Sequence, residues 1–104
     1  MFQIIEIYGG ERMSLVIVGG NECMVREYIE LCSQYNCKAK VYPKMSRGLQ
    51  NFGSPDLMVL FTNTVSHKMI KCALSGAKSM GVPVARSHTS SKNALKNILD
   101  TYIK

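Results

Sequence analysis

The chain has no tryptophan and only three prolines, and none of its apolar runs approaches the length of a membrane-spanning helix. Such a helix needs about 20 consecutive apolar residues. The amino terminus also lacks the basic segment and the cleavage site that are typical of a secretory signal peptide. We therefore predict a cytoplasmic protein that does not contact a membrane.

Disulfide bonds are not expected, because the four cysteines include no Cys-x-x-Cys pair and a chain of this size folds without cross-links. The 104 residues are 46% hydrophobic, which suffices for one core. We predict a single α/β domain over residues 1–104, with thiols that are buried or half-buried. Residues 1–13 form its amino-terminal strand and turn in this interpretation.

Acidic residues are scarce: seven Asp and Glu residues stand against 13 Lys and Arg residues, so the net charge is +6. An excess of positive charge favours anionic partners such as phosphates, carboxylates or nucleic acid. The basic residues are nevertheless scattered along the chain rather than grouped in a run. We interpret them as solvated helix faces, so nucleic acid is an alternative partner and not the favoured one.

The sequence does contain an alternation of predicted strands and helices. Continuous apolar runs predict strands that are buried on both faces, and an apolar period of 3.6 residues predicts helices. The predicted strands are 2–8, 15–18, 37–42, 57–61 and 83–85, and the predicted helices are 22–35, 68–80 and 91–103. Lysines at alternate positions of 37–42 predict an edge strand, because charge there discourages pairing with another chain.

Four of these strands alternate with helices, which is typical of an α/β fold with a parallel sheet. Right-handed crossovers favour the strand order 2-1-3-4, with residues 15–18 as the first strand. The prediction is a small Rossmann-like or flavodoxin-like core over residues 14–104, with helices on both faces of the sheet. The additional strand, Phe2–Tyr8, fits an outer edge of this sheet or a second protomer. Because it carries three isoleucines, we predict a homodimer with this segment at or near the interface.

Polar residues follow three of the predicted strands at the point where each strand ends. The carboxyl ends of parallel strands meet at one edge of a sheet, and ligands of such folds bind there. The sequence therefore predicts a ligand-binding site at this edge. Its candidate residues are Gly19, Gly20 and Asn21 after the first strand, Thr62, Asn63, Thr64, Ser66 and His67 after the third, and Arg86, Ser87 and His88 after the fourth.

These residues suit a small anion. Three helices start at the same edge, and their free N–H groups and positive dipole ends attract negative charge. Lys44, Arg47 and Lys68 add charge nearby, whereas the Gly19-Gly20 turn resembles only half of a phosphate loop. A phosphate ligand or nucleotide is therefore one alternative. The other is that the glycines serve the turn and the hydroxyl groups cap the helices.

The two histidines, His67 and His88, have four interpretations. They are ligands of iron or zinc, general bases for the serine before each, donors to an anion, or ordinary loop residues. Catalysis fits poorly, because Asp56 and Asp100 lie at the other ends of their elements and cannot orient either ring. A metal site needs further ligands, and Cys23 is the candidate nearby. We predict no enzyme activity, with His67, His88 and Cys23 as the candidate metal ligands.

Four segments of the chain resemble a known family. They read VIVGG at 16–20, PDLMVLFTNTVSH at 55–67, GAKSMGVPV at 76–84 and RSHTSSKNAL at 86–95. Together they are similar to the small bacterial domain of unknown function that is also called the Domain Related to Iron. The resemblance covers residues 14–99. It implies a small Rossmann-like cytoplasmic domain, a link to iron or haem, and no established enzyme activity.

By motif, the resemblance implies ligand-site roles for Gly19, Gly20, Ser66, His67 and the Ser87-His88 tip. Many relatives have one histidine shortly after the VGG turn and another at the end of the second strand. This chain has Asn21-Glu22-Cys23 and Tyr42-Pro43 in those places. If the family's ligand chemistry depends on those histidines, this chain must use Cys23 or His88 instead, or it has lost the function.

The leading hypothesis is a non-enzymatic domain that binds a small ligand and acts as a sensor or regulator. Haem or iron is the ligand that the resemblance implies, and a small anion is the ligand that the residues themselves suggest. The alternatives are a phosphate-ligand or nucleotide-binding domain, and a nucleic-acid or protein-interaction module that uses the basic helix faces.

Overall fold

The computed structural model describes residues 13–45, 49 and 52–103. The predicted strand Phe2–Tyr8, and the dimer interface assigned to it, lie outside this part of the chain. Two short 3-10 helices, Glu22–Met24 and Thr62–Thr64, follow the first and third strands. The main elements are β1 (Met13–Val18), α1 (Val25–Gln34), β2 (Cys37–Tyr42), β3 (Leu57–Phe61), α2 (His67–Met80), β4 (Val84–Ser87) and α3 (Lys92–Tyr102).

The four described strands form one sheet in the order β2-β1-β3-β4, and all three neighbouring pairs are parallel. This confirms the predicted α/β class and strand order. Residues 15–18 and 57–61 are buried throughout, which is why both read as continuous apolar runs. β2 lies at one edge of the described sheet, and both of its lysines, Lys38 and Lys40, are exposed.

The sheet separates two apolar cores. Leu15 and Ile17 of β1 face the core that α1 and α3 cover, whereas Val16 and Val18 face the core that α2 covers. Right-handed crossovers explain the division: β1-α1-β2 runs towards one edge, and the two later crossovers run back over the opposite face. Leu49 and Phe52, in the connection between β2 and β3, also belong to the α2 core.

The helices begin where serine and asparagine side chains satisfy free N–H groups. Ser66 Oγ accepts a hydrogen bond from Met69 N (3.2 Å), and Ser91 Oγ accepts one from Ala94 N (3.1 Å). Ser66 and Ser91 are therefore the caps of α2 and α3. α1 begins later than predicted, because its first three predicted residues form a 3-10 turn that Asn21 caps through Cys23 N. Among the described helices, none has both the length and the apolar character needed to cross a membrane.

Candidate functional site

The polar segments predicted to follow the first, third and fourth strands do meet at the carboxyl edge of the sheet. In the parallel register, Val18 pairs with Leu60 and Phe61 pairs with Ser87. The turns that follow β1, β3 and β4 therefore leave the sheet side by side. Gly20 N donates a hydrogen bond to Thr64 Oγ1 (2.7 Å), which joins the first two turns directly.

The glycine turn is shaped by packing against the protein itself. Gly19 and Gly20 have φ angles of +91° and +92°, in the left-handed region. A Cβ on Gly19 would lie 2.8 Å from the carbonyl oxygen of Phe61, and a Cβ on Gly20 would lie 2.8 Å from Cε2 of Tyr28. Real Cβ atoms do not approach so closely. The structure thus explains both glycines by the turn and its neighbours, without a ligand.

The N–H groups of this turn are used internally. Gly19 N donates to the carbonyl oxygen of Tyr42 (2.8 Å), Gly20 N to Thr64, and Asn21 N to the hydroxyl of Tyr28 (3.3 Å). A phosphate loop works by pointing successive N–H groups at the phosphate oxygens. In this conformation, these three donors are not offered to a ligand, which weakens the nucleotide alternative.

A pocket of about 400 Å³ opens at the ends of β3 and β4. It is lined by Thr62, Arg86, Ser87 and His88, all four of them predicted site residues. Thr62 Oγ1 lies 3.3 Å from the carbonyl oxygen of Ser87 and 3.4 Å from Nδ1 of His88. Arg86 and His88 are exposed. The pocket thus combines a guanidinium, two hydroxyl groups and an imidazole.

The other seven predicted site residues do not line this pocket. Ser66 and Asn21 are caps, and Thr64 accepts from the glycine turn. Asn63 and His67 are exposed, with His67 as the first residue of α2. The predicted site residues that line this pocket are thus Thr62 and the three that follow or end β4, Arg86, Ser87 and His88.

The candidate metal ligands were Cys23, His67 and His88. Across residues 13–45, 49 and 52–103, no group of three His, Cys, Asp or Glu residues is placed to hold a metal ion. The three candidates are thus not brought together as one ligand set. Of the three, His88 is the one that lines the pocket.

Tyr28 supports the site from α1, where the sequence predicts only a helix with an apolar stripe. Its side chain is fully buried. Its hydroxyl accepts from Asn21 N and donates to the carbonyl oxygen of Ser90, so it joins the turn after β1 to the turn after β4. A tyrosine in a core stripe is itself a signal, because a buried hydroxyl group usually finds a hydrogen-bond partner.

Fold and site together define a small Rossmann-like α/β domain with a pocket at the carboxyl edge of its sheet. Residues 14–102 match the model of a family described as an uncharacterized protein conserved in bacteria (DUF2325), and the chain belongs to this family. That description names neither a ligand nor an activity. The link to iron or haem stays a prediction.

Among solved structures, the chain is similar to a de novo designed Rossmann fold protein. The TM-score is 0.62 at 15% sequence identity, over 90% of this chain and 99% of that chain. At this identity the likeness concerns the fold alone. No curated protein matches the chain.

Proposed function

We propose that this chain is a non-enzymatic domain that binds a small anionic ligand in the pocket of Thr62, Arg86, Ser87 and His88. The observation that supports the proposal is the convergence of these four side chains on one pocket at the carboxyl edge of a parallel sheet. The ligand class is a phosphate or carboxylate compound. Binding serves a sensing or regulatory role in this proposal.

The chemistry of the lining residues favours an anion. Arg86 offers a planar fork of N–H donors that matches the oxygens of a phosphate or carboxylate. His88 adds a ring N–H. The hydroxyl groups of Thr62 and Ser87 donate within the protein, to the carbonyl oxygens of Ser87 (3.3 Å) and Thr89 (2.8 Å), so the donors offered to the anion are those of Arg86 and His88. No acidic side chain is among the lining residues. α3 begins at Lys92, shortly after this tip, so its positive dipole end lies at the same carboxyl edge of the sheet.

A reducing compartment is the second part of the proposal. Cys23, Cys32, Cys37 and Cys72 are all free thiols. Burial raises the pKa of Cys32 to about 12, so this thiol stays protonated and unreactive. Four unpaired cysteines support a cytoplasmic location, since disulfide bonds persist mainly in oxidising environments.

We expect Arg86→Gln to abolish most of the stabilisation that anions give the protein. Removing one charge-assisted contact costs about 1.5–3 kcal/mol, or about tenfold to a hundredfold in affinity. The measurement is thermal unfolding with inorganic phosphate, pyrophosphate or citrate, at ionic strength held constant with sodium chloride. A ligand that binds only the native state raises the melting temperature.

Arg26→Gln is the matched control, because it removes the same charge from an exposed arginine of α1 that does not line the pocket. It should respond to the anions as the wild type does. Equal responses from Arg86→Gln and the wild type would overturn the proposed site. A Soret shift on adding haemin that disappears in His88→Ala would favour haem instead.

We expect the full-length chain to be a homodimer, as the apolar segment Phe2–Tyr8 predicts. Deleting residues 1–10 should halve the mass measured by light scattering, because two-fold association is the common way to cover such a segment. The control is the full-length chain over a dilution series. A full-length protein that is monomeric at high micromolar concentration would refute the dimer.

A further inference from the structure

The charged residues are divided unequally between the two faces of the sheet. Along β2, Ala39 and Val41 pack with the α1–α3 core and Tyr42 packs with the α2 core. Because strand side chains alternate, Lys38 and Lys40 lie on the α2 side. By the same alternation, Arg86 lies on the α2 side, since its neighbour Ala85 belongs to the α1–α3 core. With the lysines of α2 they form the basic face: Lys38, Lys40, Lys68, Lys71, Lys78 and Arg86.

The helix on this side carries no acidic residue, whereas the opposite side is balanced. α2 reads HKMIKCALSGAKSM, with three lysines. The opposite helices, α1 and α3, carry three basic and three acidic residues, namely Arg26, Lys92 and Lys96 and Glu27, Glu30 and Asp100. The segregation comes from the crossovers, which place α2 on one face and α1 and α3 on the other.

The lysines of α2 lie in one row. At about 100° per residue, Lys68, Lys71 and Lys78 fall within an arc of roughly 80°. This arc is opposite the buried stripe of α2, which includes Met69 and Ala73. The row extends for about 15 Å at 1.5 Å per residue. Its exposed neighbours on the same arc are serines, Ser75 and Ser79.

These lysines are also available to a partner. Within the part of the chain that the structure describes, ion pairs join Lys44 to Glu22 (3.3 Å) and Lys96 to Asp100 (3.3 Å), and none involves a residue of the basic face. All six residues of the basic face are exposed. Charge that is neither paired nor buried is free to neutralise an extended anion.

We propose that the basic face binds the phosphate backbone of duplex nucleic acid without reading its sequence. A straight row of lysines with interspersed hydroxyl groups matches the residue types that contact phosphates. The face lacks platforms for unstacked bases: Tyr102, the one large aromatic exposed among the described residues, lies on α3. The basic face shares Arg86 with the pocket, whereas its five lysines do not line the pocket, and the lysines carry this proposal.

A duplex fits this face better than an anionic membrane does. Helices that bind membranes bury their apolar side in the lipid, but the apolar side of α2 is already packed on the sheet. Met80 is the one large apolar residue exposed on α2, and it lies at the last position of the helix. The remaining contribution of the face is electrostatic, as for a phosphate backbone.

The test compares two charge-matched double variants, Lys71→Gln/Lys78→Gln on the basic face and Arg26→Gln/Lys92→Gln on the opposite face. Binding of a fluorescein-labelled duplex of about 20 base pairs is measured by anisotropy between about 20 and 200 mM salt. Removing two phosphate contacts should make the slope of log K against log salt shallower by about 1.8. The basic-face variant should also bind at least tenfold more weakly at the lowest salt, whereas the opposite-face variant should match the wild type.

Three results would overturn the proposal. The first is no binding by the wild type at the lowest salt, and the second is equal loss in both variants, which would make net charge the cause. The third is tighter binding to the single strand than to the duplex, which would indicate base stacking instead of backbone contact. Thermal unfolding of both variants checks that each is folded.

Discussion

Replacing Gly19 with alanine is expected to lower the free energy of unfolding by about 2–5 kcal/mol, from two separate causes. Left-handed backbone costs a residue with a Cβ about 1–2 kcal/mol, and Gly19 has a φ of +91°. The new methyl would also lie 2.8 Å from the carbonyl oxygen of Phe61. That oxygen is held by the sheet and cannot move aside, so overpacking adds about 1–3 kcal/mol.

The loss is measured by urea denaturation, with an unchanged dependence on denaturant showing that the unfolding reaction is the same. Gly81→Ala is the matched control, because Gly81 is also left-handed (φ +69°) and a Cβ there meets nothing within 4 Å. This substitution should lower the free energy of unfolding only by the contribution of the left-handed backbone, about 1–2 kcal/mol. Equal losses at the two glycines would show that the close approach to Phe61 is not a constraint.

Replacing Tyr28 with phenylalanine is expected to cost about 1–3 kcal/mol, the usual cost of leaving buried polar groups without partners. The ring would keep its contact with Phe61, whose centroid lies 5.5 Å away. What disappears is the hydroxyl that accepts from Asn21 N and donates to the carbonyl oxygen of Ser90. Amide hydrogen exchange should accelerate at Asn21 before it does so in the sheet.

Tyr35→Phe is the control for this change. Tyr35 donates to the carboxylate of Asp100 at the exposed ends of α1 and α3, where water can replace the lost hydroxyl. That hydrogen bond, followed by the one from Lys96, lowers the pKa of Asp100, so its loss should raise that pKa towards its ordinary value. The change in stability should be smaller than for Tyr28→Phe. A larger effect at Tyr35 would contradict the supporting role assigned to Tyr28.

The central strands could be predicted from the sequence, because a strand that is buried on both faces needs an uninterrupted run of apolar residues. Residues 15–18 and 57–61 are apolar without interruption, and both prove to be central strands. Right-handedness of the crossovers then fixed their order. Leu49 and Phe52 could not be found this way. They enter the core from the connection between β2 and β3, in whose sequence no period of two or 3.6 residues marks a buried position.

The site was predictable as a region but not residue by residue. The order of strands was enough to bring the three polar tips to one edge. Which hydroxyl groups face outward depends on contacts between turns that are distant in sequence. Thr64 accepts a hydrogen bond from Gly20 N, and Ser66 accepts one from Met69 N. Thr62 lies beside His88 in the pocket instead. The basic face likewise depends on the fold. The alternation of side chains along β2 is a local property of the strand, but the position of α2 over the same face of the sheet is not.

An all-parallel arrangement also bears on how this chain folds. Met13 is joined to Cys37, Leu15 to Leu57 and Met58 to Val84, so every described strand pair connects distant segments. No hairpin exists among these strands that could form early and grow. The first stable structure must close a long loop around a helix, and the entropy of that closure opposes it until the helix has packed. Topologies of this kind reach their transition state slowly compared with helical bundles of the same length.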